Sequence, residues 1–315
     1  MNKVELNEEL GYYVNNDNVV STVLYFLLKV EENFVLKKVD VENTLQDRLT
    51  SQFKEYINQK FIQNEELSYI ALSDQDDRKN VAFRYDFEEP IAGLNFIDQL
   101  LENQAQPFFN LNDDDFDDLF GYVTISGNET HKLVTFRKHH FIDIVNRDRR
   151  LYVFPSNQRF VEMQRDGFII DKGFDFIKVN SDLVIIKPKT LEHSFGFAEV
   201  IASHSQVAIQ AIQDLSFLAN PDDFRTYAQT DLSFQRKLVK TRNSPVLDIP
   251  FAQVSAFVSG HPKLKNIIKA NQGNTAFELA SANSKKIFLD LLNDNFLHSG
   301  LTNAEYTAKS KDKIE

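Results

Sequence analysis

The sequence predicts an α+β protein, in which a mostly antiparallel, strand-rich body is followed by a helical C-terminal part. Short apolar runs separated by polar turns fill the first two thirds of the chain, and the hydrophobic period becomes helical after Phe195–Phe197. We therefore predict an acidic strand-rich region at 1–125, an antiparallel region with a basic turn at 126–196, and a helical region at 197–315.

Hairpins are predicted where two apolar runs flank a polar turn. Such pairs are VVSTVLYFLLKV with FVLKKVDV, GYVTI with KLVTF around SGNET, FIDIV with LYVF around residues 146–150, and FDFIKV with LVIIKPK. Residues 81–87 alternate apolar and polar side chains, which is typical of a half-buried strand. One helix is predicted among these strands, over TLQDRLTSQFKEYINQKF, because Leu45, Leu49, Phe53 and Ile57 recur at helical spacing.

Helices are predicted throughout the last third. The longest covers AEVIASHSQVAIQAIQDLSFLAN and ends at Asn220–Pro221. Shorter ones are predicted around PDDFRTYAQ, PFAQVSAFVS, HPKLKNIIKAN, KKIFLDLLND and TNAEYTAKSKDK. Thr302 and Glu305 have the spacing of a capping box at the start of the last helix.

Charge is divided unevenly along the chain. Residues 1–125 contain 10 Lys and Arg against 25 Asp and Glu, whereas residues 126–315 contain 25 against 21, and the whole chain has a net charge of −11. The average field of such a protein repels phosphate, which argues against a general polyanion binder. A basic surface confined to the second half is still able to bind nucleic acid locally.

Composition excludes several other classes of protein. The 315 residues include no cysteine, so disulfides, thiolate metal sites and a cysteine nucleophile are absent, which fits a cytoplasmic protein. The phosphate-binding motifs GxGxxG and GxxxxGK[ST] do not occur, which argues against a dinucleotide enzyme and a nucleotide-hydrolysing motor. The GxSxG motif of serine hydrolases is also absent. The longest apolar run is about ten residues, short of the roughly 20 that a membrane span needs, and no secretion signal is visible.

Three clusters of basic residues are candidates for contact with DNA phosphates. The first includes Arg147, Arg149 and Arg150 on a predicted turn, near Arg137 and Lys138. The second is Arg236, Lys237, Lys240 and Arg242, and the third contains Lys263, Lys265 and Lys269 on a predicted helix. Each cluster alone is more simply a solvated face, but three in one half of an acidic chain indicate backbone binding with strong salt dependence.

Acidic residues provide weaker signals. Asp113, Asp114, Asp115, Asp117 and Asp118 lack the glycine of a calcium loop at the sixth position, so a solvated or partner-facing patch is the better interpretation. No metal site and no cofactor are predicted. A metal-dependent nuclease remains an alternative, in which Asp175, Glu192 and Lys187 or Lys189 converge near the last hairpin, although the usual carboxylate–x–Lys signature is missing.

The chain resembles the B-subunit (KwaB-type) family of the Kiwa anti-phage defence system. The resemblance rests on FDFIKVNSDLVIIKPKTLEHSFGF, HPKLKNIIKA and KKIFLDLLNDNFLHSGLTNAEYTAKSK, and it covers roughly residues 130–315. It implies a cytoplasmic homodimer that binds double-stranded DNA with little sequence preference. It also implies recruitment to the inner membrane by a small membrane-embedded partner, the Kiwa A subunit, and a joint block of phage replication or gene expression.

The family offers no catalytic residues to carry over, so the DNA-contacting positions are inferred from charge. They are Arg147, Arg149, Arg150, Arg236, Lys237, Lys240 and Arg242 first, then Lys263 and Lys265. Asp113, Asp114 and Asp117 are expected to dock on positive cytoplasmic loops of the membrane partner. The leading hypothesis is a non-catalytic DNA-binding effector; the alternatives are the nuclease and a scaffold that binds no DNA.

Overall fold

The computed structural model describes residues 1–102, 104–110, 114, 116–128, 130–140, 144–145, 153–156, 159–162 and 167–311. The chain divides into two compact units. Unit 1 comprises Met1–Tyr69, Asn80–Tyr85 and Ala92–Thr190, and unit 2 comprises Ile70–Lys79, Asp86–Ile91 and Leu191–Glu315. The predicted α+β class is confirmed, because strands dominate unit 1 and helices dominate unit 2.

Nine α-helices occur in the described part of the chain. They are α1 (Lys3–Val14), α2 (Asn43–Ile57), α3 (Asn95–Leu101), α4 (Pro188–Ser194), α5 (Phe197–Asp214), α6 (Pro221–Thr230), α7 (Leu232–Thr241), α8 (Phe251–Gly260) and α9 (Ala282–Leu292). A π-helical turn at Asn58–Ile62 continues α2.

The strands of the first 190 residues are β1 (Ser21–Val30), β2 (Asn33–Lys38), β3 (Ser68–Ala71), β4 (Val81–Arg84), β5 (Leu119–Gly127), β6 (Lys132–Lys138), β7 (Ile144–Val145), β8 (Val153–Ser156), β9 (Arg159–Glu162), β10 (Gly167–Phe168), β11 (Phe176–Val179) and β12 (Asp182–Ile185). Those of the C-terminal part are β13 (Lys269–Ala270), β14 (Phe277–Glu278), β15 (Phe296–His298) and β16 (Glu305–Thr307).

An eight-stranded sheet with the order β2-β1-β5-β6-β11-β12-β4-β3 forms the centre of unit 1. The hairpins β1–β2, β5–β6 and β11–β12 are antiparallel, as their sequences predict. In the core, α1 and α2 pack against the sheet: Leu10 and Phe53 from the helices belong to the same buried cluster as Phe26 and Tyr122 from the strands. Strands from both sides of residue 125 are therefore neighbours in one sheet.

A second buried cluster forms the core of unit 2. It includes Ile212 of α5, Phe224 of α6, Leu238 of α7 and Phe288 of α9, all almost completely buried. The helix α7 begins where Asp231 accepts a hydrogen bond from the backbone N–H of Phe234. Phe234 and Leu238 of α7 are buried in this core, so the charged positions lie on the remaining surface of the helix.

Three sequence expectations about local structure are wrong. Residues 144–145 pair with β10, and β8 pairs with β9, so the described residues of FIDIV and LYVF do not pair with each other. In HPKLKNIIKAN, helical structure is limited to the 3-10 turn Leu264–Asn266, since Asn271 folds a turn that pairs β13 with β14. At 302–305 the Ser299 hydroxyl accepts from the Thr302 N–H, and Glu305 begins β16 instead of capping a helix.

Candidate nucleic-acid interface

The second basic cluster lies on α7 and just after it. Arg236 and Lys240 are four residues apart on this helix and therefore share a side, with Lys237 beside them. All three line one small polar cavity of about 70 Å³ in unit 2. The structure thus brings these predicted residues together, but it also surrounds them with carboxylates of the same unit.

Arg236 forms a buried ion pair with Glu192. Its Nη2 donates to Glu192 Oε2 at 2.9 Å, and Nε faces Oε1 at 2.8 Å without the alignment of a full hydrogen bond. The Glu192 side chain is 0% exposed and that of Arg236 is 24% exposed. The guanidinium therefore neutralises a buried carboxylate. An exposed arginine that binds DNA has no such internal partner.

Lys237 is also held within the protein. Its Nζ donates to Asp290 Oδ1 on α9 at 3.3 Å. The backbone carbonyl of Lys237 accepts from the Asn293 side chain at 3.1 Å, which ties the end of α9 to α7. The charge of Lys237 is therefore largely balanced by Asp290.

Lys240 differs from its two neighbours on α7. Within the described residues, its Nζ has no hydrogen-bond or ion-pair partner. Burial lowers the pKa of Lys240; the nearby carboxylates of Asp76 and Asp74 oppose this shift, while the positive charges of Lys311 and Arg78 add to it. Lys240 is thus a partly buried cation whose charge is incompletely compensated.

Arg242 and the third cluster are exposed. Arg242 Nη1 lies 3.3 Å from His204 Nδ1, and His204 Nε2 lies 2.9 Å from Glu89. Lys263 lies over the Phe296 ring, with Nζ 5.7 Å from its centroid. Lys265 belongs to the 3-10 turn, Lys269 begins β13 and its Nζ donates to the Lys265 carbonyl, so these lysines do not lie on the helix predicted for them.

Arg147, Arg149 and Arg150 of the first cluster lie outside the described residues. The two other basic residues of this cluster, Arg137 and Lys138, are described and have different contacts. Arg137 is paired with Asp175 at 3.0 Å and with Asp171 at 2.5 Å, whereas Lys138 lies over the Phe120 ring.

The charge count shows where the cations of the second half are concentrated. Residues 126–190 contain 12 Lys and Arg against 8 Asp and Glu, while 191–315 contain 13 of each. The basic surplus of the second half therefore comes entirely from residues 126–190.

The acidic stretch that we predicted to bind a partner is only partly described, and Asp113 lies outside the described residues. Asp114 accepts from the Asn110 N–H at 2.8 Å and pairs with Lys37 of β2 at 3.1 Å. Burial acts to raise the pKa of Asp114, but these two contacts outweigh it and hold the pKa below its ordinary value. Asp117 lies in the 3-10 turn before β5. Asp114 therefore joins the backbone at Asn110 to Lys37 of β2.

The carboxylates of the nuclease alternative are both engaged in ion pairs. Asp175 is 1% exposed; it accepts from Arg137 and from the Thr190 hydroxyl at 2.9 Å, and its carboxylate lies 3.2 Å from Lys187 Nζ. Glu192 is held by Arg236. No group of three or more His, Asp or Glu side chains that could hold a metal ion occurs in the described part of the chain. Sequence reasoning missed these pairings because the partners are far apart along the chain.

Among the residues that are described, no helix combines the length and the apolar character needed to cross a lipid bilayer.

Comparisons with known proteins assign a family. The model of the family described as Kiwa protein KwaB-like matches residues 117–302. The chain is 26% identical to the Kiwa protein KwaB of Escherichia coli O55:H7 (strain RM12579 / EPEC) over 322 aligned residues, which cover 100% of both chains. No solved structure gives a significant match. Because the family match covers more than half of the chain, the protein belongs to the KwaB-like family of Kiwa proteins.

Proposed function

We propose that this member of the KwaB-like family is a non-catalytic subunit of an anti-phage defence system that binds double-stranded DNA through its phosphates. It works as a cytoplasmic homodimer, recruited to the inner membrane by a small membrane-embedded partner, to block phage replication or gene expression. Family membership supports the defence role. The single observation that supports DNA binding is the surplus of cations in residues 126–190 of an otherwise acidic chain.

The internal ion pairs indicate which of the candidate basic residues are better placed to contact DNA phosphates. Arg236 and Lys237 compensate buried or nearly buried carboxylates, so moving them onto DNA would leave Glu192 and Asp290 uncompensated. Arg242, Lys263 and Lys265 have no such obligation to a buried carboxylate. We therefore propose that Arg147, Arg149 and Arg150 make the principal phosphate contacts, that Arg242, Lys263 and Lys265 add to them, and that Arg236 and Lys237 maintain the fold.

Fluorescence anisotropy with a labelled duplex tests this order. Phosphate contacts release counterions, so the logarithm of affinity falls with the logarithm of salt concentration by about 0.9 per contact. The triple variant R147Q/R149Q/R150Q should bind more weakly and reduce that slope by about 2.7. A control variant, K29Q/K79Q/K286Q, removes the same charge at exposed positions outside residues 126–190 and should keep most of the slope.

The result that contradicts the proposal is equal loss of affinity in both triple variants, since binding would then depend on net charge alone. Absence of duplex binding at low salt in the unmodified protein would favour the scaffold alternative. Loss of DNA that requires a divalent metal would favour the nuclease. The homodimer is checked by light scattering coupled to size-exclusion chromatography.

Docking to the membrane partner is proposed through the acidic stretch. Asp113 and Asp117 would face positive loops of that partner, while Asp114 keeps the stretch in place through Lys37 and Asn110. Reversing Asp113 and Asp117 to lysine should therefore weaken co-purification with the partner. Reversal of the exposed Glu8 and Asp17 is the matched control, and equal co-purification of the two variants would overturn the docking proposal.

A further inference from the structure

The polar cavity beside α7 contains more positive charge than its own carboxylates neutralise. Four cations line it: Arg236, Lys237, Lys240 and Lys309. Three of them have partners, since Arg236 pairs with Glu192, Lys237 with Asp290, and Lys309 with Asp77 at 3.6 Å. Lys240 is the exception among the described residues: no carboxylate forms an ion pair with its Nζ, and the nearby Asp76 and Asp74 compensate its charge only in part.

The two acidic residues that line the cavity are themselves occupied. Asp76 forms a two-bond pair with Arg78, with both distances 2.9 Å, and its side chain is 3% exposed. Asp77 forms an ion pair with Lys309. Neither carboxylate lies within ion-pair distance of Lys240, although both the charge and the partial burial of Lys240 favour a nearby anion.

Hydrogen-bond donors remain available around this charge. Besides the Lys240 ammonium, Nη1 of Arg236 has no hydrogen bond within the described residues, and the hydroxyl of Ser233 and the amide of Gln75 also line the cavity. A volume of about 70 Å³ corresponds to roughly five water-sized spheres, close to the five heavy atoms of a phosphate group.

We infer that this cavity binds a single terminal phosphate group, either of a mononucleotide or of a DNA 5′ end, with Lys240 as the principal charged contact. A phosphomonoester brings about 1.5 to 2 negative charges and three acceptor oxygens. A phosphate group therefore matches one ammonium without an ion-pair partner and several neutral or shared donors better than a carboxylate does. The site is separate from the duplex-binding surface proposed above and does not depend on it.

Isothermal titration calorimetry of the full chain tests this assignment at constant ionic strength. The probes are inorganic phosphate, deoxythymidine 5′-monophosphate and deoxythymidine. Phosphate and the monophosphate should bind and the nucleoside should not. A charge-assisted hydrogen bond of this kind is expected to contribute about 10- to 100-fold in affinity, so K240Q should lose that factor. K286Q, which removes an exposed lysine outside the cavity, should bind as the unmodified protein does.

A second variant guards against misfolding of K240Q. Lys309 is 55% exposed, so K309Q should fold normally and weaken phosphate binding several-fold. No binding of phosphate at millimolar concentration, or equal affinity of K240Q and K286Q, overturns the inference. Competition by 5′-phosphorylated but not 5′-hydroxyl duplex identifies a DNA end as the source, and competition by the mononucleotide alone identifies a free nucleotide. R147Q/R149Q/R150Q should keep phosphate binding, which separates this site from the duplex surface.

Discussion

The ion pair between Arg236 and Glu192 leads to a prediction that bears directly on how DNA binding is tested. The Glu192 side chain is 0% exposed, and both of its oxygens face the Arg236 guanidinium at 2.8 and 2.9 Å. Replacing Arg236 by methionine keeps the stem of the side chain but leaves a buried carboxylate without its cation. Breaking a buried pair in this way costs about 3–5 kcal/mol.

Replacing both partners should be much less harmful than replacing Arg236 alone. In R236M/E192L neither position carries a charge, and exchange of a buried pair for apolar side chains is often neutral or stabilising. The variant E192Q should lose about 1–3 kcal/mol of unfolding free energy, a loss between those of the other two variants, because Arg236 is 24% exposed and keeps access to water. The expected order of unfolding free energies is therefore double variant, then E192Q, then R236M as the least stable.

Urea unfolding followed by far-ultraviolet circular dichroism measures these differences, since the chain contains no tryptophan for fluorescence. Hydrogen exchange of peptides from α7 reports the loss locally and separates unit 2 from unit 1. A cost below about 1 kcal/mol for R236M would refute the reasoning, because that is the value of an exposed pair. If R236M remained fully folded and yet lost duplex binding, Arg236 would be a DNA contact.

Three further predictions concern unit 1. Asp175→Ala leaves Arg137 paired with Asp171 alone and removes the acceptor of the buried Thr190 hydroxyl, so it should lower the free energy of unfolding by about 1–3 kcal/mol; a cost well below about 1 kcal/mol in urea unfolding would contradict the buried contacts of Asp175. The pKa of Asp114 is lowered in the folded state, so its stabilising effect is present above the ordinary value of 3.8 and is lost as pH falls through the lowered value. Asp114→Asn should therefore destabilise the protein at pH 7 and flatten the acid side of its stability curve, and an unchanged curve would argue against the contact with Lys37. Gly127 has φ +128°, and a Cβ there would lie 1.8 Å from the His131 carbonyl oxygen, so Gly127→Ala should cost at least about 1–3 kcal/mol. Gly260→Ala, where a Cβ meets nothing within 4 Å, is the control, and equal melting temperatures for the two variants would refute this reading of the turn.

Local pattern was sufficient for the elements whose own residues determine them. The hairpins β1–β2, β5–β6 and β11–β12 and the helix α2 follow from apolar runs, turns and spacing. The sequence also contains the signals needed to predict the helix α1. Asn2 and Glu5 form a capping box before Leu6, Leu10 and Tyr13, which are at helical spacing. The strand-rich interpretation of the N-terminal half overlooked that signal.

Short segments near the C-terminus were predicted wrongly because neighbours outside each segment decide their conformation. Residues 269–270 pair with β14, whose Phe277 is buried in the core of unit 2. Glu305 lies across a hairpin from His298, 3.0 Å away, where a capping box was expected. In both places a tertiary contact outweighed local helix propensity, which is worth only a few tenths of a kcal/mol per residue.

The sequence by itself determined the α+β class, the division between strands and helices, the uneven charge and, through its resemblance, the family. Only the tertiary structure decided which cations are available for a ligand. Arg236 and Lys240 are equivalent in a charge count, yet one neutralises Glu192, 44 residues away, and the other has no partner among the described residues. The effect of a charge depends on its burial and on its partner, and both are set by segments that are distant in sequence and meet only in the folded chain.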